Sequence, residues 1–287
     1  AYKVANAKFA FYRNNPYSFS SNPFIDSLTI EEFTPTTITS AQSGNWSNPT
    51  TWVGGIVPTA NNHVVIDSTH TVTSNVNISR MQDLTINGGT FIYFSTSPNT
   101  SSQIFGNLTI SGGGTFNSGT STSTSVSRWL YVGGNINNYG ILNLGTSTAS
   151  TLYLTGGASS VFSNNGTITN NYISSIYFAN SAGTVFDAAM TNNVVIRNTL
   201  FLVDGPVTPN GKLVVGITAN TMTITRGCER AFFTQRPIYP ALGTALRSVT
   251  YGGGTNGNPT MGIFYKDTIF VGNETDTLST GGLFIRG

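Results

Sequence analysis

An apolar–x–apolar triplet returns every 22 to 24 residues through the middle of this 287-residue chain. The triplets begin at Leu84, Leu108, Leu130, Leu152, Ile176, Leu200 and Met222, and glycine-rich turns lie between them. A unit this short, built of strands without helix, cannot bury its apolar residues alone, so successive units must stack. The sequence therefore predicts an all-β fold, a parallel β-solenoid of about 22–24 residues per turn. An antiparallel β-sandwich or jelly roll is the alternative, because it uses strands of the same length.

The repeat divides the chain into three regions. Residues 1–40 form an extension rich in aromatic residues, and residues 41–225 carry the repeat together with a capping sequence at its start. Residues 226–287 do not repeat and are predicted to form a C-terminal cap or β extension.

The surface is polar without being charged. Charged residues make up 8% of the chain and the formal net charge is +2, which gives no electrostatic basis for binding nucleic acid. No apolar run is long enough for a membrane-spanning helix. A surface of serine, threonine, asparagine and glycine is typical of β proteins outside the cell, so the sequence predicts a secreted or cell-surface protein.

The ionisable residues are too few and too scattered for the usual catalytic constellations. Glycoside hydrolysis needs two carboxyl groups ~5–9.5 Å apart, and the 11 acidic residues do not recur in step with the repeat. His63 and His70 are separated by seven positions, which places them on opposite faces of a regular strand. The sequence thus predicts a non-catalytic protein with no metal site and no cofactor.

The middle residue of each triplet points outward if the first and third point inward. On four consecutive triplets the middle residue is aromatic, and we call this set the aromatic column: Tyr131, Tyr153, Tyr177 and Phe201. Thr85, Thr109 and Thr223 continue the same series. Stacked rings stabilise neighbouring strands, whereas an exposed stripe of rings binds a protein or a glycan. Both interpretations stay open.

Residues 43–90 carry a recognisable pattern. It runs GNWS-x-P-x-TW from Gly44 to Trp52, then GG-x-VP, VVI at Val64 and LTI-x-GG at Leu84. This pattern resembles the opening of β-solenoid modules in large secreted bacterial cell-surface, adhesin-like proteins. The resemblance implies a surface location and, often, export by the type IX secretion route. Trp46 and Trp52 are predicted to cap the first turn, with a sugar-binding platform as the alternative.

Two further patterns lie partly outside the repeat. Asp-Ser/Thr-apolar tripeptides resemble the O-glycan acceptor of such bacteria, with the hydroxyl residues Ser27, Ser68, Thr268 and Thr277. The segment from Val4 to Tyr12 includes Phe9 and Phe11 and is long enough for one strand. Added to the sheet of the next copy, this strand would propagate a head-to-tail homopolymer.

Together these features predict a structural or adhesive extracellular protein that assembles with itself or binds a surface glycan or protein. A carbohydrate-binding or polysaccharide-degrading solenoid is the alternative function.

Overall fold

The computed structural model describes most of the predicted repeat. The described residues are 34–93, 99–118, 127–144, 150–216, 223–227, 230–235 and 237–238, with strand residues 248–249, 264–265 and 268–269. The proposed assembly strand with Val4, Phe9, Phe11 and Tyr12 lies outside them, as do Ser27 and Thr277. Self-assembly through that strand therefore stays a prediction.

Three sheets form the sides of the solenoid. Sheet 1 contains β1 (Thr36–Thr39), β3 (Asn62–Ile66), β6 (Asp83–Ile86), β9 (Leu108–Ile110), β12 (Ile136–Asn138), β15 (Ser160–Asn164), β18 (Thr184–Phe186), β20 (Pro206–Thr208) and β23 (Phe232–Phe233). Sheet 2 contains β2 (Gly44–Asn45), β4 (Thr71–Thr73), β7 (Thr90–Ile92), β10 (Thr115–Asn117), β13 (Ile141–Asn143) and β16 (Thr167–Ile168).

Sheet 3 contains β5 (Ile78–Met81), β8 (Asn99–Ile104), β11 (Ser127–Val132), β14 (Ser150–Leu154), β17 (Ile173–Ala179), β19 (Val194–Asp204), β22 (Thr223–Arg226) and β24 (Ser248–Val249), and β21 (Leu213–Val215) also pairs with β19. A separate antiparallel pair joins β25 (Phe264–Tyr265) to β26 (Thr268–Ile269). Short 3₁₀ turns occur at Pro49–Thr51, Val53–Gly55 and Thr169–Asn171.

Each of the three large sheets is parallel, because the chain passes from sheet 1 to sheet 2 to sheet 3 and returns one rung higher. This confirms the predicted parallel β-solenoid and excludes the sandwich. The first rung begins with β1 at Thr36, which pairs with β3 before the boundary predicted at residue 41.

The triplet series mixes two sheets. Leu84 and Leu108 pair with each other in sheet 1, whereas Leu130 and Leu152 pair in sheet 3. The sheet 1 partner of Leu108 is Ile136, so that turn takes 136 − 108 = 28 residues, while Val64 to Leu84 takes 84 − 64 = 20. The uniform spacing of 22–24 residues is therefore wrong as a register. Triplets from different sheets look alike because every side of the solenoid buries alternate residues and so produces the same pattern.

The core runs through the centre of the three sheets. Leu84, Leu108, Leu130 and Leu152 are fully buried, and phenylalanine rings fill the interior beside them at Phe91, Phe116, Phe162 and Phe186. Side chains at the corners also join the rungs. The Oδ1 atom of Asn107 accepts a hydrogen bond from the backbone of Asn135 (2.8 Å), and that of Asn135 accepts one from Val161 (2.8 Å). These bonds satisfy backbone groups that the strands leave unpaired at the turns.

Candidate functional site: the aromatic column

The aromatic column lies on the outer surface of sheet 3. Strands β11, β14, β17 and β19 align Tyr131 with Tyr153, Tyr153 with Tyr177, and Tyr177 with Phe201. The residues one position earlier are buried in the core: Leu130, Leu152, Ile176 and Leu200. Alternation along each strand thus holds the four rings outside, where all are half-buried.

The rings stack face to face. The ring centroids are 4.6 Å apart for Tyr131 and Tyr153, 4.4 Å for Tyr153 and Tyr177, and 4.0 Å for Tyr177 and Phe201. The planes are inclined by only 19°, 27° and 20°, respectively. Parallel strands impose a spacing of about 4.8 Å, so the ladder itself holds the rings in contact. The faces of the two central rings are covered, and their edges and hydroxyl groups remain available.

The ends of the column differ from the sequence prediction. Thr85 and Thr109 lie in sheet 1 and do not continue it. Tyr131 instead pairs with Gln103, and Gln103 with Arg80, whose Nε donates a hydrogen bond to Gln103 Oε1 (3.0 Å). At the other end Phe201 pairs with Thr225 rather than Thr223. Only the sheet register reveals these partners, because Gln103 and Arg80 stand outside the apolar triplets that define the repeat.

The column shifts the ionisation of its tyrosines. Burial raises the pKa of Tyr153 to about 12, and the neighbouring phenols of Tyr177 and Tyr131 add to this because two adjacent phenolates repel. Tyr153 also donates a hydrogen bond to Tyr177, which favours its neutral form. Burial raises the pKa of Tyr131 and Tyr177 as well. At neutral pH the column is therefore uncharged.

The raised pKa predicts a loss of stability in alkali. An unfolded tyrosine titrates near ~10, so the folded state disfavours phenolate at Tyr153. Its contribution is complete below the unfolded pKa and is lost as the pH rises from about 10 through the folded value of about 12. We expect Tyr153→Phe to lose less stability than the wild type in this window, as measured by denaturant unfolding at each pH. Equal losses in the two proteins would contradict the assignment.

Removing the central ring is expected to destabilise the rod. Tyr153→Ala deletes two stacked contacts of ~0.5–1.5 kcal/mol each, and we expect the free energy of unfolding to fall by about 2 kcal/mol. Tyr139→Ala is the matched control, because Tyr139 is 55% exposed and outside the column. Chemical denaturation measures both. A loss no larger than that of the control would mean that the stacking adds no stability.

The two tryptophans of the capping sequence lie in the core. Trp46 is 3% exposed and Trp52 2% exposed, and their rings meet edge to face at 5.1 Å. The indole N–H of Trp52 donates to the backbone oxygen of Trp46 (2.8 Å), and Trp46 packs on Phe91. A sugar platform needs an exposed ring face, which neither tryptophan offers, and the capping role stays a prediction.

The other predicted sites are not brought together. Ser68 is exposed at the corner after β3, and Thr268 lies in β26. His63 Nδ1 lies 2.6 Å from Asp83 Oδ2, whereas His70 Nδ1 lies 2.8 Å from the Ser40 hydroxyl. Among the described residues, no group of three or more histidine, cysteine, aspartate or glutamate side chains is arranged to hold a metal ion.

Sequence reasoning missed a buried arginine behind the column. Arg128 is fully buried on β11, next to the outward Trp129. Burial lowers the pKa of its guanidinium group, and the buried Tyr93 opposes that shift. Burial also raises the pKa of Tyr93. The alternation of β11 places Arg128 inside, but a cation at an inward position has no signal in the triplet pattern.

A family model described as the G8 domain matches residues 51–130. The match covers the start of the solenoid and ends one residue before the first ring of the aromatic column. The G8 domain is typical of extracellular proteins, which agrees with a secreted location. Comparison with curated proteins and with solved structures gives no match. Within the described residues, no helix is long and apolar enough to cross a membrane.

Proposed function

We propose that this extracellular β-solenoid is a non-catalytic structural protein that adheres to a second copy of itself through the outer face of sheet 3. The observation that carries the proposal is the aromatic column, four stacked and half-exposed rings in register on one face. Aromatic rings are enriched in protein–protein contacts because they bury a large area at little cost in side-chain entropy.

The stacking geometry favours a protein partner over a glycan. A sugar ring packs against the face of an aromatic side chain, and the faces of Tyr153 and Tyr177 are covered by their neighbours on both sides. Ring edges and phenol hydroxyls suit a flat surface of apolar and hydrogen-bonding groups. The same face of a second copy offers such groups, because the edges of its own rings lie beside the partly exposed hydroxyl of Thr151.

The low charge removes an obstacle to association between copies. Like-charged proteins repel one another, but this chain carries a net charge of +2 and only 8% charged residues. The aromatic column adds no charge at neutral pH. Two copies related by a two-fold axis would place the same face against itself, and this closed arrangement satisfies both surfaces at once.

The positions of the acids support a non-catalytic role. Asp83 accepts from the backbone of Asn107 (2.5 Å), and Asp187 from Ser163 (3.0 Å). Asp204 pairs with Arg230 (3.1 Å), and Asp67 accepts from the backbone of Ser68 (2.8 Å). Each carboxylate that the structure describes therefore holds a turn or a rung. Type IX export and O-glycosylation of Ser68 remain predictions from the sequence.

Sedimentation equilibrium of the full chain over a range of concentrations tests the proposal. We expect the wild type and Tyr139→Ala to self-associate equally, and Tyr153→Ala to associate at least tenfold more weakly. A chain lacking residues 1–20 separates this contact from the donated strand. If that deletion abolishes association while Tyr153→Ala does not, the N-terminal strand is the contact instead. A wild type that stays monomeric throughout would refute both.

A reducing-sugar assay against neutral and acidic polysaccharides tests the proposal that the protein is non-catalytic. We expect no turnover. Turnover that is abolished by replacing one carboxylate would establish the polysaccharide-degrading alternative.

A further inference from the structure

A polar cleft opens where sheet 2 stops. The last strand of sheet 2 is β16, whereas sheets 1 and 3 continue over further rungs. The space above β16 forms a cleft of about 240 Å³, and its lining includes Asn164, Ile168, Asn171, Asn192, Asn193 and Val195. The lining contains none of the four rings of the aromatic column, although Val195 lies on β19, the strand that also carries Phe201. The cleft is outside the residues that match the G8 domain.

The wall of the cleft is fixed by hydrogen bonds to the rung beneath it. Asn192 donates from its backbone to Asn164 O (3.1 Å) and from its Nδ2 to Gly166 O (2.7 Å). Thr191 donates from its backbone to Asn165 Oδ1 (2.9 Å). Asn171, which also lines the cleft, adopts a left-handed conformation with φ 61°. Such a backbone is uncommon for residues other than glycine, and it sets the direction of this asparagine at the rim.

The side-chain amide of Asn164 is fixed by a hydrogen bond from a buried neighbour. Asn164 is 1% exposed, and its Oδ1 accepts a hydrogen bond from Nδ2 of the buried Asn138 (2.8 Å). Asn138 also donates to the backbone oxygen of Thr167 (3.3 Å). In contrast, Asn171 and Asn193 are exposed at the rim. The cleft thus combines one fixed amide with two that remain open to a ligand.

The lining is neutral and has both polar and apolar parts. The amides of the exposed Asn171 and Asn193 supply hydrogen-bond donors and acceptors, while Val195, which is partly exposed, supplies an apolar surface. No charged side chain belongs to the lining. A pyranose has matching chemistry, with hydroxyl groups that both donate and accept and a ring face of C–H groups. The volume lies below the ~300–1,000 Å³ of drug-sized pockets, which suits one sugar ring.

We propose that this cleft binds a single neutral sugar unit, either free or at the end of a glycan. The exposed amides of Asn171 and Asn193 take the hydroxyl groups, and the partly exposed Val195 side chain takes the C–H face. The site is independent of the aromatic column, so a loss of self-association does not affect it.

Saturation-transfer NMR and calorimetry on the full chain test the proposal, with glucose, galactose, mannose and N-acetylglucosamine as probes. Two variants open the rim, Asn193→Ala and Asn171→Gly. Glycine is chosen at position 171 because it accepts the positive φ without strain. Asn61→Ala is the matched control, since Asn61 is an exposed asparagine on another corner. Tyr153→Ala separates this site from the column.

We expect at least one probe to bind saturably, with at least tenfold weaker affinity in both rim variants and unchanged affinity in Asn61→Ala and Tyr153→Ala. Thermal unfolding confirms that each variant is folded. The proposal is wrong if none of the four sugars binds saturably to the full chain. It is equally wrong if binding survives both rim substitutions.

Discussion

Replacing Trp52 by alanine is expected to lower the free energy of unfolding by about 3–5 kcal/mol, the range measured for large aromatic residues in protein cores. Trp52 is among the largest buried side chains and is 2% exposed. Its ring packs edge to face on Trp46, and its N–H donates to the backbone oxygen of that residue. The alanine variant loses the packing, opens a cavity and leaves a buried carbonyl oxygen without this donor.

We expect the loss of stability in the Trp52 variant to extend to neighbouring rungs, because Trp46 belongs to a series of aromatic rings that contact one another in the core. The ring centroids of Trp46 and Phe91 are 5.8 Å apart, and those of Phe91 and Phe116 are 5.7 Å apart. Trp46 therefore contacts the rung of β7 directly and the rung of β10 through Phe91. Denaturant unfolding followed by tryptophan fluorescence and by circular dichroism measures the change. Trp129→Ala is the control, because Trp129 is half-exposed on sheet 3. If the two variants lose equal stability, Trp52 is not a cap.

The fold could be predicted because stacking leaves a local signal. Each side of a solenoid buries alternate residues, and this produces the apolar–x–apolar triplet. The aromatic column was predictable for the same reason, since Tyr131, Tyr153, Tyr177 and Phe201 all follow an inward residue on sheet 3. Here the 22–24 residue spacing coincides with the true register, which aligns Leu130, Leu152, Ile176 and Leu200.

The register over the whole rod could not be predicted from that signal. Sheet 1 and sheet 3 produce identical triplets, so the sequence offers no way to tell that Leu108 and Leu130 lie on different sides. The lengths of the segments that connect the sheets decide on which side each triplet lies, and these lengths vary from rung to rung. Arg80 and Gln103 were missed for that reason, as their alignment with Tyr131 depends on the pairing of three strands.

The asparagine cleft also has no local signature. Asparagine is common in the turns of this chain, where its side chain bonds to nearby backbone groups. The cleft exists because sheet 2 ends at β16 while Asn192 and Asn193 approach from the following rung. The early end of sheet 2 is a property of the whole fold, and it brings asparagines from separate turns together into a candidate site.

The second large loss of stability is expected at the corner between sheets 1 and 2, where glycines stack in a column. Its members are Gly89, Gly114, Gly140 and Gly166, one on each of four successive rungs. A Cβ atom on Gly140 would lie 2.3 Å from the backbone oxygen of Gly114 and 2.6 Å from that of Ser111. Real Cβ atoms do not approach so closely. The rungs must therefore separate at this corner if any side chain is introduced.

We expect Gly140→Ala to destabilise the solenoid by roughly 3 kcal/mol, the upper part of the usual cost of overpacking. The rungs cannot move apart freely, because Ile141 N donates to Gly114 O (2.9 Å) and Thr167 N to Gly140 O (2.8 Å) on either side of the substitution. Relief of the overlap would stretch these hydrogen bonds, and stretching them leaves buried backbone groups poorly paired.

Gly112→Ala is the matched control, since a Cβ atom there meets nothing within 4 Å. Alanine at such a site reduces the freedom of the unfolded chain, so the control should be neutral or slightly more stable. Chemical denaturation of both variants decides the matter. If Gly140→Ala unfolds at the same denaturant concentration as Gly112→Ala, the rungs are not in contact at this corner. In that case the glycines serve only the turns and not the stacking of the rod.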